Sequence, residues 1–443
     1  MSYLDNILFA ILLVIGFGYF YFNIKKIIRN INLGKAVNRK DNPKARWANM
    51  AMIAFGQSKM VKRPVAGILH IIVYAGFIII NIELLEIIID GLFGTHRIFA
   101  FLGTFYDVLI ASFEILAFLV LIAVFAFWTR RNIIKLNRFI HNDLTGFPKS
   151  DANYILYFEV VLMSLFLLMN ASDLHLQNIP GGFSHFIKAG SFPISQFIEP
   201  LFNGHSNELV MLLSEIFWWL HIVGILIFMN YLYISKHLHI LLAFPNTYFA
   251  NLNPQGQFDN LEAVTNEVKM MMDPNADPYA SAPATENALP VKFGASDIQD
   301  LNWVQLLNAY TCTECGRCTS ACPANITGKK LSPRKIMMDT RDRMEEVGKN
   351  IDANNGVFVP DNKTLLNDYI TPEELWACTS CNACVEECPV NISPLSIIMD
   401  MRRYLVMEQS AAPTPINAMM TNIENNGAPW QYSQQDRLNW KNE

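Results

Sequence analysis

Five stretches of this chain, roughly Leu4–Phe22, Val65–Ile89, Gly103–Trp128, Asp151–Ser172 and Leu209–Ser235, are predominantly apolar. Each is long enough to cross a bilayer, which takes about 20 residues. Inside hydrocarbon every backbone N–H and C=O must be paired within the segment, so such stretches fold as helices. The composition agrees: 52% of residues are apolar and 16% charged, more apolar and less charged than a soluble protein. The start does not read as a cleaved leader. No basic residue precedes Ile7–Tyr21, Lys25, Lys26 and Arg29 follow it, and no small-residue cleavage site appears. It reads as a first membrane helix.

Flanking charge sets the expected orientation. The connection between the first and second stretches carries eleven Lys or Arg residues, from Lys25 to Arg63, and that between the third and fourth carries five. The two opposite connections carry one each, Arg97 and Lys188. The positive-inside rule then places the N-terminus outside and everything after Ser235 in the cytoplasm of a cell bounded by this inner (cytoplasmic) membrane. Within the first connection, Asn42–Gly56 reads as a helix, lying in the membrane interface or packed in the loop. A net charge of −5 gives no footprint for nucleic acid, which calls for a basic patch.

All eight cysteines fall between Cys312 and Cys388. Clustered short spacings point to metal ligation in a reducing compartment rather than to a disulfide framework. They form two runs of Cys-x2-Cys-x2-Cys-x3-Cys-Pro: Cys312, Cys315, Cys318, Cys322, Pro323, and Cys378, Cys381, Cys384, Cys388, Pro389. Two residues between ligands let one tight loop aim three thiolates at one cubane, and the fourth Cys of such a run ligates the other cluster. The runs therefore predict two [4Fe–4S] clusters, one on Cys312, Cys315, Cys318 and Cys388, the other on Cys378, Cys381, Cys384 and Cys322. Zinc needs only four ligands per site and gives no reason for a third evenly spaced Cys and a Cys-Pro, repeated twice.

The expected fold is mainly α: a five-helix transmembrane bundle over 1–245, a Pro- and acid-rich linker over 246–300, an α-helical ferredoxin-like dicluster domain over 301–410, and a partner-binding tail over 411–443. The linker expectation rests on five prolines and six acids between 252 and 292, and the tail contains Trp430 and Trp440. Helical patterns are expected over Ser332–Glu346 and Pro394–Glu408.

Ionisable groups in apolar helices default to a functional reading. His221 and His239 are 18 residues apart, five whole turns of a continuous helix, which would put them on one face about 27 Å apart. They cannot share one haem. His70, just inside the cytoplasmic end of the second stretch, lies at the level of His239, and the pair predicts bis-imidazole ligation of haem b. His221 is a further haem b candidate without an obvious partner, His175 and His96 being loop alternatives. His237 is expected to point elsewhere, and an interfacial cation is the competing role for His239. Among the acids, Glu83, Glu114 and Glu215 are candidates for quinone-coupled proton transfer. Glu159 is also mid-helix, while Glu86 and Asp90 sit near enough to the outer surface to reach it.

The strings Gly67-Ile-Leu-His70 with Gly76-Phe77, and Leu220-His221 through Lys236-His-Leu-His239, resemble the five-helix cytochrome b subunit of respiratory nitrate reductase. That resemblance, over residues 1–245, implies two haems, but Ile80 stands where that family has its second helix-two ligand. The cysteine half resembles the iron–sulfur subunits of heterodisulfide reductase and its relatives, including membrane ETF:quinone oxidoreductases. It does so through the cysteine runs, Gly328-Lys-Lys-Leu331-Ser332-Pro333-Arg334, Asn422-Ile-Glu424, Gly427-Ala-Pro429-Trp430 and Arg437-Leu-Asn-Trp440. The resemblance implies a subunit of a quinone-linked iron–sulfur oxidoreductase, passing electrons between a cytoplasmic redox partner and menaquinone or ubiquinone. It further implies a separate cysteine-rich subunit with paired Cys-Cys motifs, with an electron-transferring flavoprotein beyond it. No GxGxxG after a strand and no P-loop are present to bind a nucleotide in those ways. The rival reading is a membrane iron–sulfur accessory factor that assembles a respiratory metalloenzyme, which needs the cysteine runs but no haem. A simple membrane anchor for a dehydrogenase differs only in its partner.

Overall fold

The computed structural model of the chain describes residues 3–179, 186–274 and 292–442. Each expected apolar stretch is a helix. In chain order these are α1 (Tyr3–Ile31), a short α2 (Pro43–Met50), α3 (Pro64–Phe93), α4 (Thr104–Asn132), α5 (Phe147–Gln177) and α6 (Asn207–Tyr231). All but α2 are long and apolar enough to cross a membrane. They run past their apolar cores to stop signals: Pro64 opens α3, and Gly94, at φ 68°, closes it. Proline there sacrifices only an amide without a helical partner, and glycine enters the left-handed region without a Cβ clash.

The bundle is apolar outside and partly polar inside. Ile7, Ile11, Val14 and Ile15 of α1 are exposed, while Glu83, Glu86, Asp90, Glu114 and His221 are buried. Water would penalise that arrangement, whereas hydrocarbon requires it, because a charge facing lipid is costly. Phe9, Tyr106, Ile110, Phe113, Phe166 and Ile222 fill the centre. Gly91 admits the Phe9 ring, since a Cβ there would lie 2.5 Å from it. Small residues at such crossings are how membrane helices approach closely.

The sixth helix departs from the sequence expectation. It stops at Tyr231 and gives way to two 3-10 turns, Leu232–Ile234 and Lys236–Leu238, before α7 (His239–Tyr248). Ser235 between the turns is extended, at φ −105° and ψ 150°. The cause is Asp151, at the start of α5, which accepts hydrogen bonds from the Ser235 hydroxyl (2.7 Å), the Lys236 amide (3.0 Å) and the Tyr231 hydroxyl (2.5 Å). His221 and His239 thus do not share one face of one helix, and the five-turn argument for their spacing fails.

After α7, the linker region holds one exposed helix, α8 (Glu262–Met272), with no buried residue. Residues 275–291 of the expected linker lie outside the described residues. Packing resumes at Ala295 and Ile298, both fully buried. From there come α9 (Trp303–Thr311), α10 (Arg317–Ala321), α11 (Pro323–Ile326), α12 (Pro333–Ala353) and a helix over Pro394–Met407. Among the described residues there is no strand, only two isolated bridges. Leu306, Ile336, Met344, Val347, Ile397 and Met401 form one core that also takes in Ile27 and Ile31 of α1 and Leu232 and Leu238. The C-terminal third is therefore seated directly on one end of the bundle.

That end is the one with the basic connections. Arg63 pairs with Glu387 at 2.8 Å, Lys62 pairs with Glu386, and Lys26 and Arg29 pair with Asp352. The expected helix of the first connection packs against α7 and not by itself: the fully buried Arg46 donates to the carbonyls of Tyr248 and Ala250, and Trp47 stacks edge-on against Tyr248. Asp143, between α4 and α5, pairs with the fully buried Arg334 and accepts from Ser332. Burial alone would raise the Asp143 carboxyl, but the bonds from Arg334 and Ser332 outweigh it and hold the group below the usual carboxylate range. A depressed native pKa contributes stability above the unfolded value of about 4, lost as pH falls through the native value. Two results are expected: Asp143→Ala costs about 3 kcal/mol, because a buried guanidinium loses its partner, and the loss is seen at pH 7 but shrinks below pH 4. Denaturant unfolding in detergent at both pH values checks this.

Candidate metal and cofactor centres

The two cysteine runs trace one backbone twice. In each, the second and fourth residues after the first Cys have positive φ: Glu314 and Gly316 (53° and 71°), then Ser380 and Asn382 (58° and 60°). In each, the second residue donates its amide to the first thiol, Glu314 N to Cys312 Sγ and Ser380 N to Cys378 Sγ, both at 3.4 Å. Left-handed residues at alternate positions curl the loop so that its amides and thiols face one concavity. A short helix follows each loop, α10 in the first and Ala383–Glu387 in the second, and then Cys-Pro.

The fold interleaves the runs. Cys312, Cys315, Cys318 and Cys388 line one cavity, together with Cys384. Burial, then the neighbouring Cys378, Cys322 and Cys381, push the Cys384 thiol up to about 12. Burial pushes Cys312 up to about 12 and Cys388 up to about 11. Thiols in that state stay protonated at neutral pH unless a bound cation compensates the thiolate charge, which is the donor chemistry of a metal centre. Among the described residues, no three Cys, His, Asp or Glu side chains close on a point as a single ion requires. Cys381 is exposed, so the second group reaches the surface.

Charge around the first loop is set by the bundle. Glu314 is held by Lys236 and Arg341, each at 2.5 Å. Arg317 donates to the carbonyls of Lys59 and Met60, in the turn that leads into α3. Gly316 is squeezed as well as left-handed: a Cβ there would meet Arg334 Nη1 at 2.7 Å and Arg138 Cβ at 3.2 Å. Gly316→Ala is expected to cost about 2 kcal/mol from left-handed strain and displaced arginine. Faster loss of iron on anaerobic warming measures it.

Arg317's carbonyl partners lie ten and eleven residues before His70. The His70 and His239 rings face each other with centroids 6.4 Å apart and planes at 42°. Two metal–imidazole bonds of ~2 Å each, with a ring radius at either side, fill about 6 Å. His239 Nδ1 lies 3.0 Å from the Lys236 carbonyl, which fixes its proton there and leaves Nε2 free to ligate. His70 Nδ1 is buried without a partner. These residues could together supply the two histidine ligands of a haem. His237 is not turned away as expected: the break at Ser235 sets its ring 5.5 Å from that of His239 and 5.2 Å from Phe228. Two residues apart, His237 and His239 cannot reach opposite faces of one macrocycle, whereas His70 and His239 come from different helices.

His221 stands in another setting. It is buried against Phe166, its Nδ1 has no partner, and it shares a cavity with Ile80. Among the described residues, no second imidazole lines that cavity. His175 is bound to Glu199 at 2.6 Å, and His96 lies 3.2 Å from Asp173. Bis-histidine ligation at His221 therefore lacks its second ligand.

The acids divide by environment. Glu114 is fully buried, its carboxylate accepting the amides of Ile194 (2.9 Å) and Ser195 (3.0 Å) and Asn170 Nδ2 (3.3 Å). That is a brace for the connection into α6, and Glu114 lines neither cavity near Glu83. Glu86 accepts from the Phe99 amide and Tyr106, and Asp90 from the Arg97 amide and Thr95. Glu83 and the exposed Glu215 line one open polar cavity with His96, Arg97 and Asp173. Sequence reading missed the buried Arg97, which bonds Asp173, Tyr106 and Asn170 at once. Its only signal was being the single arginine in an otherwise apolar connection.

A membrane bundle with a two-run cysteine domain on one end defines a membrane iron–sulfur protein, and comparison with known proteins agrees. A 4Fe-4S dicluster domain is recognised over residues 311–392. The chain is 30% identical over 470 residues to "Probable iron-sulfur-binding oxidoreductase FadF" of Bacillus subtilis, covering 99% of this chain and 61% of that protein. It is 26% identical over 465 residues to "EtfAB:quinone oxidoreductase" of Syntrophomonas wolfei, covering 98% and 59%. Over 163 residues it is 35% identical to "Probable membrane-anchored ferredoxin" of Chromohalobacter salexigens, covering 33% and 24%. Shorter matches reach subunits of heterodisulfide reductases from methanogens. The chain thus spans about three fifths of the length of the first two relatives. No solved structure matches. The chain is similar over nearly its whole length to proteins named iron–sulfur and quinone oxidoreductases, and over a shorter stretch to heterodisulfide reductase subunits.

Proposed function

We propose that this chain carries electrons between a cytoplasmic redox partner and the menaquinone or ubiquinone of the inner membrane, through two [4Fe–4S] clusters and one haem b. The observation that carries the reading is the His70–His239 pair, 6.4 Å apart, at the end of the bundle on which the cysteine loops sit. Cys312, Cys315, Cys318 and Cys388 would hold one cluster, and Cys378, Cys381, Cys384 and Cys322 the other. His70 and His239 would hold the haem. When bound, these groups supply one-electron transfer. The protein's own part is to exclude water, fix the ligands and set the local charge. Lys236 holds Glu314 beside Cys315, and Arg317 ties the first loop to the turn before α3, so the loop and His70 cannot drift apart. Glu83 and Glu215 are the acids suited to exchange protons at the end remote from the cysteines.

The surroundings support an orientation with the cysteine domain in the cytoplasm, since its acids meet the basic connections. The relatives' names support a partner. We infer a cysteine-rich protein with paired Cys-Cys motifs as that partner, and an electron-transferring flavoprotein beyond it. Trp430 and Trp440 in the 411–443 tail are 62% and 72% exposed, and exposed Trp is a favoured interface anchor. Deleting residues 421–443 is expected to release that partner from native membranes while iron content stays unchanged. Recovery of this chain alone in a wild-type pull-down, with full quinone reductase activity, contradicts the partner.

A further inference from the structure

Two residues that each carry a buried polar atom without a partner line the same cavity. Glu83 Oε2 and His221 Nδ1 both lack a hydrogen bond, and their residues are 4% and 3% exposed. Both residues line one cavity between α3, α4, α5 and α6. An unpaired donor or acceptor in an apolar site is costly, so one orphan calls for an explanation and two in one cavity call for a shared one. The rest of the wall is mostly apolar and aromatic, with Gly76, Phe77, Ile80 and Phe166 among its residues, and Asn81 and Glu159 add two further polar side chains. Phe77, one of the lining residues, is 42% exposed on the outside of the bundle, so the wall of the cavity reaches the lipid-facing surface.

We propose that this cavity is the quinone head-group site, where the two hydroxyls of the quinol form donate to His221 Nδ1 and to Glu83 Oε2, and that it holds no second haem. The assignment rests on the quinone-linked reading above. A quinone is a flat apolar ring with polar oxygens at opposite edges and an isoprenoid tail, and it reaches its site from the bilayer. The cavity suits such a ring: aromatic walls at Phe77 and Phe166, polar groups at separate points of the wall, and a wall that reaches the lipid-facing side of the bundle at Phe77. Among the described residues, His221 is the one imidazole lining this cavity, and Ile80 on the α3 wall has no lone pair to serve as a second haem ligand. Among the described residues, Glu83 is also the one titratable group common to this cavity and to the polar cavity of Glu86, Asp90, Arg97, Asp173 and Glu215. The group that grips the ring is therefore also in contact with the remote end of the bundle.

The test uses the full chain in quinone-extracted native membranes, with a fluorescent hydroxyquinoline N-oxide, a quinone analogue, as the probe. Iron and haem are measured in every sample. Wild type is expected to quench the probe saturably at one site per chain. His221→Leu and Glu83→Leu should each weaken binding at least tenfold, and Ile80→Trp, which fills the cavity, should abolish it, all with iron and haem unchanged. Probe affinity unaltered in the three variants overturns this assignment alone, as does loss of a haem from His221→Leu. Absence of saturable binding by wild type with its full iron overturns both the assignment and the quinone-linked reading.

Discussion

Alanine at either His70 or His239 is expected to remove one and the same low-spin haem signal, down to background, while His237→Ala leaves it in place. The expectation follows from topology as much as from distance. His70 rises from α3 and His239 begins α7, so their rings, 6.4 Å apart, approach one point from two sides. The Lys236 carbonyl anchors His239 through Nδ1, which leaves one nitrogen to ligate. His237 lies close, its ring 5.5 Å from that of His239, but two residues along the same turn it cannot approach the iron from the side opposite His239. Pyridine haemochrome content per chain, read beside iron content, checks the result. Equal haem in all three variants would place the haem elsewhere. Loss only in His237→Ala would exchange the two histidines of the 236–239 turn.

Cys322→Ala is expected to take the iron from about eight per chain to about four, and the missing cluster should be that of the second run. Cys322 belongs by sequence to the first loop, yet its thiol is among the neighbours that raise Cys384. Cys388 of the second run lines the first run's cavity instead. Variants at Cys381 and Cys315 provide the reference EPR signals for each run. Disappearance of the first-run signal in Cys322→Ala would show that the runs do not cross.

What was legible in the sequence divides by range. The five spanning helices were legible because length and apolarity decide them locally, and proline and glycine marked ends such as Pro64 and Gly94. The cysteine loops were legible because ligand spacing and loop curvature are the same short-range fact. The break at Ser235 was not, because it is made by Asp151, 84 residues away. That one carboxylate shortened α6, moved His237 beside His239 and undid the spacing argument for His221. Glu114 looked like a mid-membrane acid free to titrate, yet its partners are amides at Ile194 and Ser195, in a connection with no sequence signature. Arg97 entered the sequence reading only as one charge in an orientation count, although it ties α5 to the outer connection through Asp173.

The central claim is that electrons pass between the clusters and a quinone through a haem in this one chain. The most direct measurement adds a reduced quinol analogue anaerobically to the oxidised, iron-replete protein and follows the optical and EPR spectra together. The account predicts a low-spin haem b α-band and cluster signals that rise with quinol and are absent without it. Iron-replete protein that shows no haem band at all would contradict it and favour a membrane iron–sulfur assembly factor.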